Sequence, residues 1–208
     1  MPHAPTDLAH LVDLTKKQHA KDTIVLSQIC QYLRPGTILE VGAGCGQLSY
    51  ELQALGYDVI GSDIEPLFVE HMQSRGLKAM LVDATQINRT LTKPVENILT
   101  QGVSTLVTGR LGLVKQTYAT IYENLVPAGR LIFIFPITKP TFFGPPRWST
   151  LKDHRPIIAS TGFRVVAIFR SQILPYSWYE RMSKRTATLL EHRVGVHIGI
   201  RHVLILER

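Results

Sequence analysis

The sequence predicts a doubly wound α/β fold, because a short apolar strand, a glycine turn and a helix follow one another directly. The strand is Ile38-Leu39-Glu40-Val41, and the turn after it places glycines at alternate positions, at Gly42, Gly44 and Gly46. Leucines then recur at helical spacing, at Leu48, Leu52 and Leu55. Such a unit opens doubly wound folds. Its turn leads into a helix N-terminus, where free N–H groups favour a polar or anionic group.

Two more strands follow, and each of them ends in an aspartate. Residues 57–62 predict a strand that ends at Asp63, about 20 residues past the glycines, where a carboxylate accepts hydrogen bonds from ribose hydroxyls. Pro66 suits the first turn of the next helix. Lys78–Val82 predicts a third strand, which ends at Asp83. The alternative at both positions is an aspartate that only caps the following helix or turn.

The spacing of the glycines separates two classes of ligand. Dinucleotide-binding folds carry G-x-G-x-x-G, but Gln47 stands where their third glycine would be. Glu40, two residues before Gly42, would repel a pyrophosphate and suits an ammonium group. The pattern E-x-G-x-G-x-G resembles motif I of the class I S-adenosylmethionine (SAM)-dependent methyltransferases, whose ligand carries an amino-acid end and a sulfonium. A glycine turn that merely packs the helix on the strand is the structural alternative.

The resemblance implies a SAM site built from the glycine turn and the ends of successive strands. In that family, an acidic residue at the position of Asp83 contacts the adenine amino group, and the backbone of the next residue, here Ala84, contacts the ring. Thr108 is included because Val103–Thr108 predicts a fourth strand. The cofactor-binding residues implied in this way are Glu40, Gly42, Ala43, Gly44, Gly46, Asp63, Ile64, Asp83, Ala84 and Thr108.

The resemblance also implies a seven-stranded, mostly parallel sheet with an antiparallel last strand. Arg130–Phe135 predicts the fifth strand, and the phrase NLVPAGRLIFIFP resembles the L-x-P-G-G-x-L pattern common in the family, with Ala128 in place of one glycine. Phe163–Phe169 predicts the sixth strand, and His202–Glu207 predicts the last. The strand order itself rests on the resemblance.

Three helices are predicted in the second half of the chain. Leu113–Val126 places apolar residues on one face, and the chain from about Asp153 to Thr161 forms another helix, in which Pro156 fits only the first turn. The third helix begins at a capping box formed by Ser177 and Glu180 and reaches about His192.

Length and composition bound the class of protein. The chain has 208 residues, of which 45% are hydrophobic and 19% charged, so we expect one globular domain. That domain spans 1–208, with an N-terminal helical lid at 1–36 and an α/β core at 37–208. No apolar run is long enough to span a bilayer, and the first residues lack a secretory signal. The two cysteines fit neither a disulfide framework nor a metal site, which indicates a cytosolic protein.

Charge is distributed unevenly along the chain. The net charge is +7, yet residues 1–129 hold 10 basic and 12 acidic residues, whereas residues 130–208 hold 13 basic and 4 acidic ones. A basic second half indicates an anionic or electron-rich partner, with nucleic acid as one candidate. The alternative is solvated charge scattered over helices and loops. No run of five or six basic residues occurs, which weakens the case for nucleic acid.

Methyl transfer needs alignment of donor and acceptor more than it needs catalytic side chains, although an acceptor hydroxyl or amine can require a base. None of the candidate side chains stands in a family motif, so no catalytic residue is assigned. The candidates are His154, His192, His197, His202, Tyr118, Tyr176 and Tyr179. For each of them a structural role is the alternative.

The predicted function is SAM-dependent methylation of a small-molecule acceptor. Aromatic residues at Phe142–Trp148 and Tyr176–Tyr179 suit a flat or apolar acceptor, and Arg110 or Arg147 suits a carboxylate or phosphate. RNA or protein methylation and a non-catalytic SAM-binding module remain alternatives. Enzymes that methylate amino groups of nucleic-acid bases often carry an Asn/Asp-Pro-Pro-aromatic motif where this chain reads TGRL, at 108–111, which counts against such a target. The sequence indicates neither the methylated atom nor the oligomeric state.

Overall fold

The computed structural model describes residues 25–135, 149–171, 181–190, 193 and 201–208. Within them one sheet contains β1 Thr37–Val41, β2 Asp58–Asp63, β3 Ala79–Leu81, β4 Val95–Gln101, β5 Leu125–Ile134, β6 Arg164–Ser171 and β7 Arg201–Glu207. The α-helices are α1 at 25–29, α2 Gln47–Ala54, α3 Pro66–Ser74, α4 Ser104–Val107, α5 Leu111–Glu123, α6 Leu151–Thr161 and α7 Lys184–Leu190. Short 3-10 helices lie at Cys30–Tyr32 and Ile87–Arg89.

The seven strands lie in the order β3-β2-β1-β4-β5-β7-β6. Strands β1 to β5 pair in parallel, and β7 runs antiparallel to both of its neighbours, β5 and β6. The mostly parallel sheet with an antiparallel last strand is therefore confirmed. The order reverses between β1 and β4, and in open α/β sheets ligands bind in the crevice outside the carboxyl ends of the strands at such a point.

The central strands are apolar because both of their faces are covered. In β1, Ile38, Leu39 and Val41 are all buried, as expected for a parallel strand with helices on both sides. On one face, Leu39 and Val41 pack with apolar residues of α4, α5 and α6. On the other face, Ile38 packs with residues of α1 and α2. The sheet is thus the middle of three layers.

The described part of the predicted N-terminal lid belongs to the body of the domain. Val25, Leu26 and Ile29 of α1 are buried in the same apolar layer as Leu48 and Leu52 of α2. Helix α1 ends at residue 29, and the chain then forms a 3-10 turn before β1, although the sequence predicts a helical lid as far as residue 36. A lid over the cofactor stays a prediction for residues 1–24, which lie outside the described residues.

The predicted fourth strand at Val103–Thr108 is wrong, because most of that segment forms the short helix α4 and the strand is Val95–Gln101. The strand in the structure contains Glu96 and Asn97, and these polar residues interrupt the apolar run by which a buried strand is recognised in a sequence. Both have partners in the structure, and Glu96 Oε2 accepts a hydrogen bond from the Thr37 N–H at 2.8 Å. Polar side chains are tolerated in a buried strand when they are paired in this way.

Helix α6 begins at Leu151, two residues earlier than the sequence predicts, and ends at Thr161; the next residue, Gly162, has a φ of 97°, which is typical of the residue that follows a helix. Pro156 therefore lies in the second turn and not in the first. At the N-terminus, Asp153 Oδ2 accepts a hydrogen bond from the Thr150 N–H at 2.8 Å. This bond satisfies a backbone donor at the N-terminal end of the helix.

The predicted helix from Ser177 to His192 is shorter in the structure. Residues 181–183 are not helical, and α7 begins at Lys184. Ser183 Oγ caps it by accepting a hydrogen bond from the Thr186 N–H at 3.1 Å. The predicted capping box at 177–180 lies outside the described residues.

One carboxylate joins several elements at the end of the sheet opposite the crevice. Glu207 of β7 contacts Arg34 Nη2 at 2.8 Å and Arg130 Nε at 3.4 Å, and it also pairs with Arg164 of β6. The hydrogen bond from Arg164, assisted by those from Arg34 and Arg130, holds the pKa of Glu207 below its usual range. The cluster fastens the chain before β1 to the last strand. In the described part of the chain, no helix is both long and apolar enough to cross a membrane.

Candidate functional site

A cleft opens at the carboxyl ends of β1, β2, β3 and β4, where the strand order reverses. Its lining residues are Val41, Gly42, Asp63, Ile64, Val82, Asp83, Ala84, Gly102, Val103, Ser104 and Thr105. Half of the ten residues that the resemblance implied, Gly42, Asp63, Ile64, Asp83 and Ala84, lie together here. Segments far apart in sequence thus form one wall around a site that suits a small ligand.

The loop between β1 and α2 requires its glycines for both conformation and space. Gly42, Gly44 and Gly46 have φ values of 73°, 55° and 74°, in the left-handed region that side chains disfavour. A Cβ on Gly42 would lie 2.7 Å from the Val103 side chain, which lines the cleft. A Cβ on Gly46 would lie 2.7 Å from the Met72 side chain on α3. The turn therefore packs tightly against both neighbours.

Asp63 holds the glycine loop in place. Its Oδ2 accepts a hydrogen bond from the Gly44 N–H at 2.9 Å, and its Oδ1 accepts one from the Glu65 N–H at 3.0 Å. The second bond lies just before α3, so part of the cap role considered from the sequence is present. Each carboxylate oxygen can accept more than one hydrogen bond. Asp63 therefore keeps the capacity to bind hydroxyl groups of a ligand in the cleft.

Asp83 organises the turn after β3. Its Oδ1 accepts hydrogen bonds from the Thr85 N–H at 2.8 Å and from the Thr85 hydroxyl at 2.7 Å. This is the local pattern by which aspartates stabilise turns. The bonds use one oxygen of the carboxylate, and both Asp83 and Ala84 line the cleft. The turn thus presents a carboxylate and a backbone segment side by side.

Ile64 is an apolar side chain left open at the cleft. Ile64 is the residue after Asp63, and it is 64% exposed. An exposed isoleucine alone is unremarkable, but this one lines the same cleft as two carboxylates. It provides an apolar surface against which a flat ring can pack.

Glu40 and Ala43 lie behind the cleft and do not line it. Glu40 is 3% exposed, and its carboxylate accepts a hydrogen bond from the Ser49 hydroxyl on α2. The side chain of Ala43 packs against Met72 and Leu77 in a small apolar cluster beneath α3. The structure thus gives these two residues a role in joining the glycine loop to its helices.

The side of the cleft formed by the turn after β4 and the start of α4 is not predicted from the sequence. Gly102, Val103, Ser104 and Thr105 form it, and Gly102 has a φ of 67°. Thr108 is not among the lining residues, because it follows α4 instead of ending a strand. Its hydroxyl accepts a hydrogen bond from the Arg110 N–H at 3.3 Å. The signal that could have located this wall is Gly102 itself, a turn residue directly after Gln101.

The described catalytic candidates lie away from the cleft lining. Tyr118 and His154 are completely buried, and Tyr118 Oη lies 2.8 Å from His154 Nδ1. Burial lowers the pKa of His154 from 6.5 to about 4 and raises the pKa of Tyr118. Burial, with Arg170 nearby, also lowers the pKa of His202 on β7. All three are thus neutral at pH 7, and none of them touches the cleft.

Several acceptor-side predictions fall outside the described residues. These are the Phe142–Trp148 loop with Arg147, the Tyr176–Tyr179 segment, His192 and His197. Arg110 is described and exposed, but it does not line the cleft. Among the described residues no group of three His, Cys, Asp or Glu side chains is placed to hold a metal ion.

Comparison with known proteins identifies the fold. No protein-family model matches the sequence, and no curated protein matches it either. A TehB-like SAM-dependent methyltransferase from Corynebacterium glutamicum is similar in structure, with a TM-score of 0.64 and 16% sequence identity over 97% of this chain and 98% of that one.

Two further structures were solved with SAM bound. The glycopeptide N-methyltransferase MtfA has a TM-score of 0.64 and 13% identity over 89% of this chain and 93% of its own. The magnesium protoporphyrin IX methyltransferase ChlM from Synechocystis PCC 6803 has a TM-score of 0.60 and 16% identity over 100% of this chain and 86% of its own. The chain therefore has the fold of the class I SAM-dependent methyltransferases, as the sequence predicted.

Proposed function

We propose that the protein is a SAM-dependent methyltransferase whose cofactor binds in the cleft between β1 and β4. One observation carries the proposal: Asp63, Asp83 and Gly42 of the glycine loop, identified from the sequence as separate features, line a single cleft. One fold supports many functions, and the side chains of the site determine which of them a chain can perform. Those side chains match the parts of SAM one by one.

The nucleoside end of SAM fits the β2 and β3 side of the cleft. Asp63 accepts hydrogen bonds from the ribose hydroxyls, and Ile64 packs against the adenine ring. Asp83 and the backbone of Ala84 then bind the polar edge of that ring. A carboxylate, an exposed aliphatic side chain and a turn backbone lie in adjacent positions along this wall. This is the set of groups that a ribose and a purine require.

The amino-acid end of SAM fits the glycine loop. Without a Cβ at Gly42 and Gly44, the ligand can approach the backbone closely. The Glu40 carboxylate lies buried behind the loop, and its charge favours an ammonium and disfavours a phosphate at short range. Gly46 and Ala43 pack against Met72 of α3 and so hold the loop in position. When bound, SAM would supply a methyl group from its sulfonium, and transfer of that methyl group to the acceptor would leave a neutral thioether.

A small molecule is the acceptor class that we favour. ChlM and MtfA, whose structures resemble this one, act on a porphyrin and a glycopeptide according to their names. The catalytic residue stays unassigned, because the described His and Tyr candidates do not reach the cleft. Aligning the acceptor with the methyl group is the contribution that the fold itself makes.

Calorimetry with SAM, its demethylated product S-adenosylhomocysteine, and NAD tests cofactor binding. We expect heat with the first two ligands and none with NAD, because the glycine loop lacks the dinucleotide spacing. Binding of NAD without binding of SAM would reject the proposal. Transfer of a radiolabelled methyl group from SAM, screened against metabolite, lipid and RNA extracts, then separates an enzyme from a non-catalytic SAM-binding module.

A salt series tests the alternative of an RNA acceptor, which the basic second half of the chain suggests. A protein that contacts many phosphates loses affinity steeply as salt rises, whereas a small anion held by one or two arginines shows a shallow slope. We expect bulk tRNA and rRNA to bind weakly at physiological salt. Sub-micromolar binding with a steep slope would replace the small-molecule acceptor with RNA.

A further inference from the structure

A buried chain of hydrogen bonds connects α5 and α6 with the end of α4. Tyr118 Oη on α5 lies 2.8 Å from His154 Nδ1 on α6, and His154 Nε2 lies 2.8 Å from Ser149 Oγ. Ser149 in turn donates from its hydroxyl to the Leu106 carbonyl on α4 at 3.1 Å. All three side chains are buried, with His154 at 0% exposure. A polar chain of this kind is stable only when every member is paired.

The direction of each donor follows from the last bond. Because the Ser149 hydroxyl donates to Leu106, its oxygen accepts from His154 Nε2–H. His154 Nδ1 is then an acceptor and accepts a hydrogen bond from the Tyr118 hydroxyl. A neutral imidazole is required for this order, and burial keeps His154 neutral by lowering its pKa to about 4. The chain therefore has one consistent proton arrangement.

Ser149 caps a helix that cannot stand alone. Helix α4 is only four residues long, and so short a helix has no stability of its own in water. The Ser149 hydroxyl binds the Leu106 carbonyl, and its N–H donates to the Val107 carbonyl at 2.9 Å. These are carbonyls that a helix leaves without partners at its C-terminus. Ser149 thus fixes one end of α4, while Ser104 and Thr105 at the other end line the cleft.

We propose that Ser149, oriented by His154, is a positioning residue that sets the affinity of the cleft for its ligand by fixing the α4 wall without touching the ligand. The identity of that ligand as SAM rests on the proposed function above. The hydroxyl, and not only the bulk of the side chain, is the part that acts. Removing it leaves the Leu106 carbonyl without this partner, so that only the bond from the Ser149 N–H to Val107 holds the C-terminal end of α4 and the Ser104–Thr105 wall can move.

Two single-group deletions in the same chain separate positioning from general stability. Ser149→Ala removes the hydroxyl that binds α4, and Tyr118→Phe removes the hydroxyl at the far end of the chain while leaving the bonds between Ser149 and α4 intact. Each change leaves one nitrogen of His154 without a partner, so we expect both variants to lose stability in urea unfolding to a similar extent. In calorimetry we expect SAM to bind about tenfold more weakly to Ser149→Ala and within about twofold of wild type to Tyr118→Phe. Equal weakening in both variants, or none in Ser149→Ala, overturns the proposal.

A measurement without ligand distinguishes failure of this inference from failure of the proposed function. The α4 amides of Leu106, Val107 and Thr108 donate to Val103 and Ser104 carbonyls, and their hydrogen exchange reports the opening of the helix. We expect exchange at these amides to rise about tenfold in Ser149→Ala, with little change in Tyr118→Phe. Unchanged exchange in Ser149→Ala overturns the positioning role even if SAM binds. If the wild-type protein binds no SAM, the proposed cofactor is wrong, and the hydrogen-exchange result still decides the positioning role of Ser149.

Discussion

Asp63 Oδ2 accepts a hydrogen bond from the Gly44 N–H at 2.9 Å, which ties the end of β2 to the centre of the glycine loop. The sequence predicts a separate contact with the ligand for each of these two residues. The hydrogen bond makes them one unit, since a change at Asp63 also releases the loop. A loss of affinity in an Asp63 variant therefore combines the loss of a ligand contact with the loss of this bond.

Asp63→Ala should weaken SAM binding by about 1–3 kcal/mol, because it removes acceptors for the ribose and for the Gly44 N–H. Calorimetry of the variant measures the change. Asp58→Ala is the matched control, since Asp58 is the first residue of the same strand and lies near the opposite end of the sheet, paired with Lys78. We expect the control to bind SAM as wild type does. Undiminished affinity in Asp63→Ala would leave Asp63 as a structural cap alone.

Gly44→Ala should disrupt the cleft without adding much bulk. Gly44 has a φ of 55°, where a residue with a Cβ costs about 1–2 kcal/mol. We therefore expect a modest loss of stability together with a clear loss of SAM affinity. Gly56→Ala carries a similar backbone penalty at a φ of 89°, with nothing within 4 Å of the added Cβ, in a turn remote from the cleft. If both variants bind SAM equally well, the loop is not the cofactor site. Gly44→Val would be a harsher and less readable test, since a β-branched side chain adds further strain at positive φ.

Ile64→Ser tests the apolar wall with little effect on folding. Ile64 is 64% exposed, so its replacement costs the fold almost nothing, while the ring surface that it covers in the complex contributes about 1 kcal/mol of binding. We expect SAM to bind about fivefold more weakly, by calorimetry. Leu55→Ser is the control, because Leu55 is 59% exposed and lies at the far end of α2. Equal affinities for wild type and both variants would remove Ile64 from the site.

The burial of His154 predicts a pH dependence of stability. Its pKa is lowered from 6.5 to about 4, so between these two pH values His154 is protonated in the unfolded chain and neutral in the folded protein. Stability contributed by the neutral imidazole is present above pH 6.5 and is lost as pH falls towards 4, by about 3 kcal/mol in all. Urea unfolding of wild type and His154→Gln between pH 7.5 and 4.5 measures it. The difference between the two curves isolates His154, because His71 and His202 are common to both. A difference that does not change with pH contradicts the burial.

The first half of the fold followed from local signals in the sequence, and β4 did not. Strands β1 and β2 combine apolar runs with glycine or aspartate ends, so their type and limits could be predicted. In β4 the tertiary contacts dominate: Asn97 Oδ1 accepts from the Arg34 N–H at 2.8 Å, and its amide group donates back to the Arg34 carbonyl at 2.9 Å. A polar residue with partners more than 60 positions away cannot be recognised from its neighbours. The β-branched run at Val103–Thr108, with its high strand propensity, was therefore mistaken for the strand.

The candidate site was predictable where the chain changes direction and unpredictable where packing decides orientation. Asp63 and Asp83 were placed correctly at the carboxyl ends of their strands because strand ends carry their own signals. The contact of Glu40 with the ligand stays a prediction, and in the structure its carboxylate accepts a hydrogen bond from Ser49 on α2. The direction of that side chain depends on the helix above it. The Ser149–His154–Tyr118 chain has no local signature, since its members come from three separate elements.

The position of β7 has a consequence for how the chain acquires its structure during synthesis. β6 is made before β7, but in the sheet it pairs with β7 alone, and β7 separates it from β5. Until residues 201–207 leave the ribosome, β6 has no edge on which to pair, and the β5 edge remains open. Strands β1 to β5 can therefore pair as they are synthesised, whereas β6 cannot join the sheet before β7 is present. A nascent chain stalled before residue 201 would leave the β5 edge and the whole of β6 without partners, and unpaired strand edges of this kind favour aggregation.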